Sequence, residues 1–170
     1  MARLPRRAPG ELDGEALALH EKITSGPRGA SMTDERGALV GPFTAMLLSP
    51  PVGDALQELG AAIRYRSTLP PRARELAILT VADHWDSAFE RRAHESAGRA
   101  AGLTEEELAT LHSADPFEAA VLTTTRRLLE SGDLTDDEYA ALDERTLFEL
   151  TTLVGYYATL AMQLRVYRVT

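Results

Sequence analysis

The stretch Leu69-Pro-Pro-Arg-Ala-Arg-Glu-Leu-Ala-Ile-Leu-Thr-Val-Ala-Asp-His-Trp-Asp-Ser-Ala-Phe-Glu-Arg-Arg-Ala-His94 decides the fold. It opens on Pro70-Pro71, and proline suits the first helical turn because its missing N–H has no partner there in any case. Leu76, Ala77, Ile78, Leu79, Val81 and Ala82 then make a segment apolar on most faces. The Ile-Leu-Thr-Val run alone also fits a buried strand, but length and the Pro-Pro start favour a central buried helix over 72–85. A second helix is predicted over 87–101. Arg91, Glu95 and Arg99 recur at four-residue steps in it, an ion ladder for the wet side. Glu90 and His94 have the same spacing and so share a face, which continues through Ala97 and Ala101.

Outward from this core, the signals remain helical. Gly14 to Thr24 reads as a short helix with Leu17, His20 and Ile23 around it, ended by Ser25-Gly26-Pro27. A short helix is expected near Pro42 and a longer one from Pro50-Pro51, where Val52, Leu56, Leu59 and Ile63 form an apolar stripe. Gly102 sits where a helix stops in the left-handed cap. Thr104/Glu107, Thr135/Glu138 and Thr146/Glu149 have capping-box spacing. An amphipathic helix fits 117–130. The last, over about 147–167, is apolar on nearly every side, so it is either the central core helix or covered in part by a partner subunit. The expected fold is all-α, in a compact multi-helix arrangement. Residues 1–35 read as an N-terminal segment with a short helix and 36–170 as the helical domain, a single domain overall.

Composition excludes several functions. The 170 residues contain no cysteine, which removes thiol nucleophiles, thiolate ligands and disulfides together. That suits a reducing cytoplasm. A net charge of −8 disfavours nucleic acid and anionic lipid as partners. No apolar run approaches the ~20 residues of a membrane span. Arg3, Arg6 and Arg7 are not followed by an apolar run, so a frayed terminus is expected rather than a signal peptide.

The candidate chemistry lies where ionisable residues fall in apolar helices. A carboxylate beside an imidazole orients its tautomer and raises its pKa, which makes Glu90 and His94 a usable acid–base pair near neutral pH. Ser87-x-x-Glu90 is also a capping box, so Glu90 has a purely local alternative. Glu75 is either part of the site or a buried partner for an arginine. Arg72 and Arg74 offer fixed positive charge for an anionic group. His84 stands beside Trp85, with a structural role open, and His20 and His112 read as surface residues. Glu90, His94, His84 and Asp86 lack a specific metal-ligand spacing, so no metal is expected.

The quoted stretch resembles the core motif of the carboxymuconolactone decarboxylase family, which shares an all-α fold with the alkyl hydroperoxidase D-like proteins. Gly41-Pro-Phe-Thr-Ala-Met-Leu-Leu-Ser-Pro, Ala101-Gly-Leu-Thr and Val154-Gly-Tyr-Tyr extend the resemblance over about 41–162. The peroxidase branch carries two cysteines three residues apart ahead of the histidine, and the matching positions here are Ser87 and Glu90. These cannot cycle through a disulfide, so the resemblance points to the cysteine-free, decarboxylase-like branch. It implies a cofactor-free acid–base enzyme acting on a small carboxylated lactone or enolisable carbonyl, by decarboxylation or related proton transfer. The implied roles are His94 as general acid–base, Glu90 as its orienting partner, Glu75 as a relay, and Arg72, His84 and Ser87 toward substrate. A homo-trimer or homo-hexamer is implied, with a non-catalytic binding or assembly protein of the same fold as the alternative.

Overall fold

A computed structural model describes residues 2–27 and 29–169, with the Ala30 side chain also outside the description. Among the described residues there are nine α-helices and no strand, only an isolated bridge between Thr33 and Leu39. The fold is all-α, as expected. The helices are α1 (Gly14–Ser25), α2 (Pro42–Met46), α3 (Pro50–Tyr65), α4 (Pro71–His84), α5 (Ala88–Ala100), α6 (Glu105–Thr110), α7 (Pro116–Ser131), α8 (Asp136–Ala140) and α9 (Glu144–Tyr167). The contacts group the chain into two units, residues 1–65 with 162–170, and residues 66–161.

In the first unit α3 packs on α1 and α2. The expected stripe on α3 is offset from its inner face. Gly53, Gln57, Gly60 and Ile63 are buried, whereas Val52 and Leu59 are exposed. The cause is a close helix approach: a Cβ on Gly53 would lie 2.2 Å from the Met46 carbonyl oxygen, so the contact line follows the residues with least side chain. On α1 the inner residues are Leu19, His20 and Ile23. His20 is therefore a core residue, not a surface one, and its Nε2–H donates to the Gly37 carbonyl at 2.8 Å.

The second unit is built around α4, which packs on α5 and α7. From Glu75 to Ala82 every residue of α4 is buried, which accounts for its apolar character on all faces and excludes the strand alternative. Burying Leu76, Ile78, Leu79 and Val81 contributes about 2 kcal/mol each. Leu76 and Leu79 join Leu103, Leu108, Leu111 and Leu122 in one cluster. The helix buried all round is thus α4 and not the C-terminal α9, which exposes Phe148, Met162 and Val166.

Two turns place α5. α4 ends with Ser87 N–H bonding to Ala82 O at 2.8 Å and Asp86 N–H to Asp83 O at 3.0 Å. Asp86 is left-handed between them (φ 50°), a role that aspartate tolerates better than most side chains. α5 closes in the same way, with Leu103 N–H on Gly98 O and Gly102 at φ 92°. The boxes Thr104/Glu107 and Thr135/Glu138 form as expected. Thr146/Glu149 does not: α9 starts earlier, at Glu144. Asp143 accepts the Arg145 and Thr146 amides, and Glu149 reaches the Thr68 amide and hydroxyl.

Candidate active site

The buried row of α5 is Glu90, His94 and Gly98, so the inward face runs on through Gly98 and not through Ala97 and Ala101. A Cβ on Gly98 would lie 3.0 Å from Leu103 and Leu108 methyls, and its absence lets α5 settle against Leu103 and the α6 residue Leu108. Opposite, α4 presents Glu75, 1% exposed. The two helices meet at His94. Its Nδ1–H donates to Glu75 Oε2 at 2.6 Å, and its Nε2 lies 3.4 Å from Glu90 Oε2. Glu75 Oε1 takes a second contact, Arg74 Nε at 3.4 Å. Tyr157 of α9 stands edge-on to the imidazole, with ring centroids 5.1 Å apart.

His94 thus sits between two carboxylates in a dry environment. Burial opposes its charged form, but the hydrogen bonds and charges of Glu75 and then Glu90 outweigh that cost, and its pKa lies above the ordinary histidine value. The geometry exchanges two roles expected from the sequence. Glu75, with the short bond to Nδ1, is the orienting carboxylate, and Glu90 lies across the longer contact on Nε2. The capping alternative for Glu90 is not realised, since Ser87 makes no side-chain cap and Glu90 turns to His94. Among the described residues, Glu90 Oε1 and the Ser87 hydroxyl are buried with no hydrogen-bond partner. Unsatisfied buried polar atoms are costly, and these two lie within one helical turn of each other.

The remaining candidates lie elsewhere. Arg72 is not available to an anion. Its guanidinium forks onto Glu118 at 2.8 and 3.1 Å, meets Glu107 at 2.6 Å and donates to the Gly102 carbonyl. These partners raise the Arg72 pKa, and the Arg72 bond leads the causes that push Glu107 down to about 2. Arg72 is a clamp between α4, α6 and α7. His84 is exposed and packs edge-on to Trp85 at 5.7 Å, outside the buried cluster. Asp83, next to it, pairs with Arg91 at 2.8 Å. The Arg91–Glu95–Arg99 ladder forms on the outer face, at 3.0 and 4.0 Å. Among the described residues no group of three or more His, Asp or Glu is arranged to hold a metal ion. Sequence reasoning gave Tyr157 no role, although the Val154-Gly-Tyr-Tyr motif contained it.

A helical protein with a glutamate–histidine–glutamate chain buried between two packed helices is the class these features define. Residues 50–131, from the first residue of α3 to the last of α7, match the model of the carboxymuconolactone decarboxylase family. The chain contains no cysteine. A comparison with curated proteins gives no match. No described helix is long and apolar enough to cross a membrane.

Proposed function

We propose that the chain is a cofactor-free acid–base enzyme of the carboxymuconolactone decarboxylase-like kind, moving a proton on a small lactone or enolisable carbonyl compound. One observation carries the reading: His94 is pinned by Glu75 on one nitrogen and faces Glu90 on the other, and Glu90 keeps one buried oxygen without a partner. Glu90 takes the proton α to the carbonyl, and the C–H electron pair moves toward the carbonyl oxygen. The His94 imidazolium, held charged by Glu75, supplies or takes up the balancing proton through Nε2. Decarboxylation uses the same parts in reverse order. The C–C bond breaks, its electron pair spreads onto the carbonyl, carbon dioxide leaves, and Glu90 delivers a proton to carbon.

Between these, proton transfer on an uncharged carbonyl is better supported. Two carboxylates line the cluster, and Arg72, the cation expected to receive a substrate carboxylate, is engaged by Glu107 and Glu118. Assembly into a homo-trimer or homo-hexamer is part of the proposal. Light scattering of the purified chain tests it.

The test of the reaction is deuterium incorporation and carbon dioxide release across a panel of cyclic ketones, lactones, carboxylated lactones and β-keto acids, followed by NMR. Exchange or release that Glu90→Gln and His94→Asn both abolish is the expected result. A panel with no turnover, together with a loss of folding in both variants, assigns the cluster to stability and the chain to a binding or assembly role.

A further inference from the structure

We infer that the start of α5 is an oxyanion site, in which the Ser87 hydroxyl and the first-turn amides of Ala88 and Phe89 receive the carbonyl oxygen of an uncharged substrate. The inference rests on the proton-transfer reading of Glu90 and His94 and names the substrate class for it: a small ketone or lactone that passes through an enolate.

Three observations converge. First, the opening amides of a helix have no partner inside the helix, and they present positive potential to an anion. α5 is 13 residues long, and Ser87, at the position that normally caps those amides, makes no side-chain hydrogen bond to them. Second, Ser87 is more than nine-tenths buried and its hydroxyl has no partner among the described residues, so a donor is held out of water with nothing to donate to. Third, Glu90 stands three residues on, within the same turn, with its own buried, unpartnered oxygen. Side chains at this spacing have Cβ atoms about 5–6 Å apart. A carbonyl group and its neighbouring C–H fit between a donor and a base separated in this way.

The chemistry balances without any added reactant. Glu90 removes the α-proton as H⁺, the C–H pair becomes the C=C bond of the enolate, and the carbonyl π pair moves onto oxygen. The charge on that oxygen grows only as the reaction proceeds, so donors aimed at it favour the transition state over the bound ketone. Protonation at carbon returns the electrons and releases the site. A substrate carboxylate gains less here, because it would bring a full negative charge close to Glu90 in the ground state.

Ser87→Ala and Glu90→Gln separate the two halves of the site, with 4-nitrophenol as the probe because its absorbance reports the ionised form. The wild-type chain is expected to bind it as phenolate. Ser87→Ala is expected to weaken that binding at least tenfold and to slow deuterium exchange by a similar factor, with no loss of thermal stability. Glu90→Gln abolishes exchange but keeps, or tightens, phenolate binding, since it removes a nearby negative charge. Phenolate binding that is absent in the wild type, or equal in wild type and Ser87→Ala, overturns the oxyanion site. If exchange still depends on Glu90 in that case, the proton-transfer reading survives. Exchange that is absent while Ser87-dependent phenolate binding persists does the converse.

Discussion

Two polar clusters hang from the same helix less than one turn apart, and they have opposite designs. At Arg72 every group is matched. The guanidinium meets Glu118, Glu107 and the Gly102 carbonyl, Glu118 also accepts from Ser113 at 2.6 Å, and Glu107 accepts the Thr104 amide at 2.8 Å. At Glu75 the chain of contacts runs inward through His94 and ends at Glu90 with an oxygen that nothing in the described structure satisfies. A satisfied cluster joins elements, and its energy is all in the folded state. An unsatisfied one costs stability in the free protein and returns that cost when a ligand supplies the missing partner. The difference, more than burial or charge, separates the clamp from the candidate active site.

Substitutions that break each cluster should therefore fail in different assays. Glu90→Gln is expected to lower proton-exchange turnover by about 10²–10⁴-fold, the usual worth of a positioned acid–base group, while stability stays within about 1 kcal/mol of wild type in urea unfolding. Arg72→Met is the mirror case. It strands Glu118, which is 7% exposed, and should cost about 2–3 kcal/mol of stability. Any loss of activity should then follow the unfolded fraction.

The pH dependence sharpens the contrast. The folded-state pKa of His94 is raised, so between the ordinary value near 6.5 and that higher value the folded chain binds more protons than the unfolded one. Stability from this group is complete below about pH 6.5 and is lost as pH rises through the folded pKa. Chemical-denaturation midpoints measured from pH 6 to 9 should fall, and Glu75→Gln should flatten the fall. The clamp has the opposite sign. Glu107, pushed down to about 2, stabilises above the ordinary carboxylate value and loses that contribution as acid brings the pH toward 2. The smallest effect is expected at Ser87→Ala. With no cap bond to lose and an unpartnered buried hydroxyl to remove, thermal unfolding should be unchanged or shifted upward, by about 1 kcal/mol at most.

Much of the fold was legible because its signals are local. Pro70-Pro71 set the start of α4, Gly102 closed α5, and two of the four capping boxes formed. The errors came where a distant partner overrode a local preference. Asp143 stands one residue before α9 and took the cap that Thr146 was expected to make, freeing Glu149 for Thr68, 81 residues away. The inner face of α3 was missed because hydrophobic patterning weighs side chains, whereas Gly53 acts by lacking one. Within the site, the sequence placed Glu75, Glu90 and His94 on adjacent helices but ranked the two carboxylates the other way round. Their order is set by a contact between α4 and α5, Glu75 on His94 Nδ1, that the four-residue spacing of Glu90 and His94 does not show. Arg72 looked free because Glu118 is 46 residues away.

The claim that the Glu75–His94–Glu90 chain is built for proton transfer is tested most directly on one variant measured twice. Glu90→Gln and wild type are compared for deuterium exchange into a small cyclic ketone or lactone, and for urea-unfolding free energy, on the same preparations. The account predicts that exchange is lost and stability is kept. Exchange retained with stability lost would contradict it, and would make Glu90 a structural partner of His94 in the way that Glu118 is of Arg72.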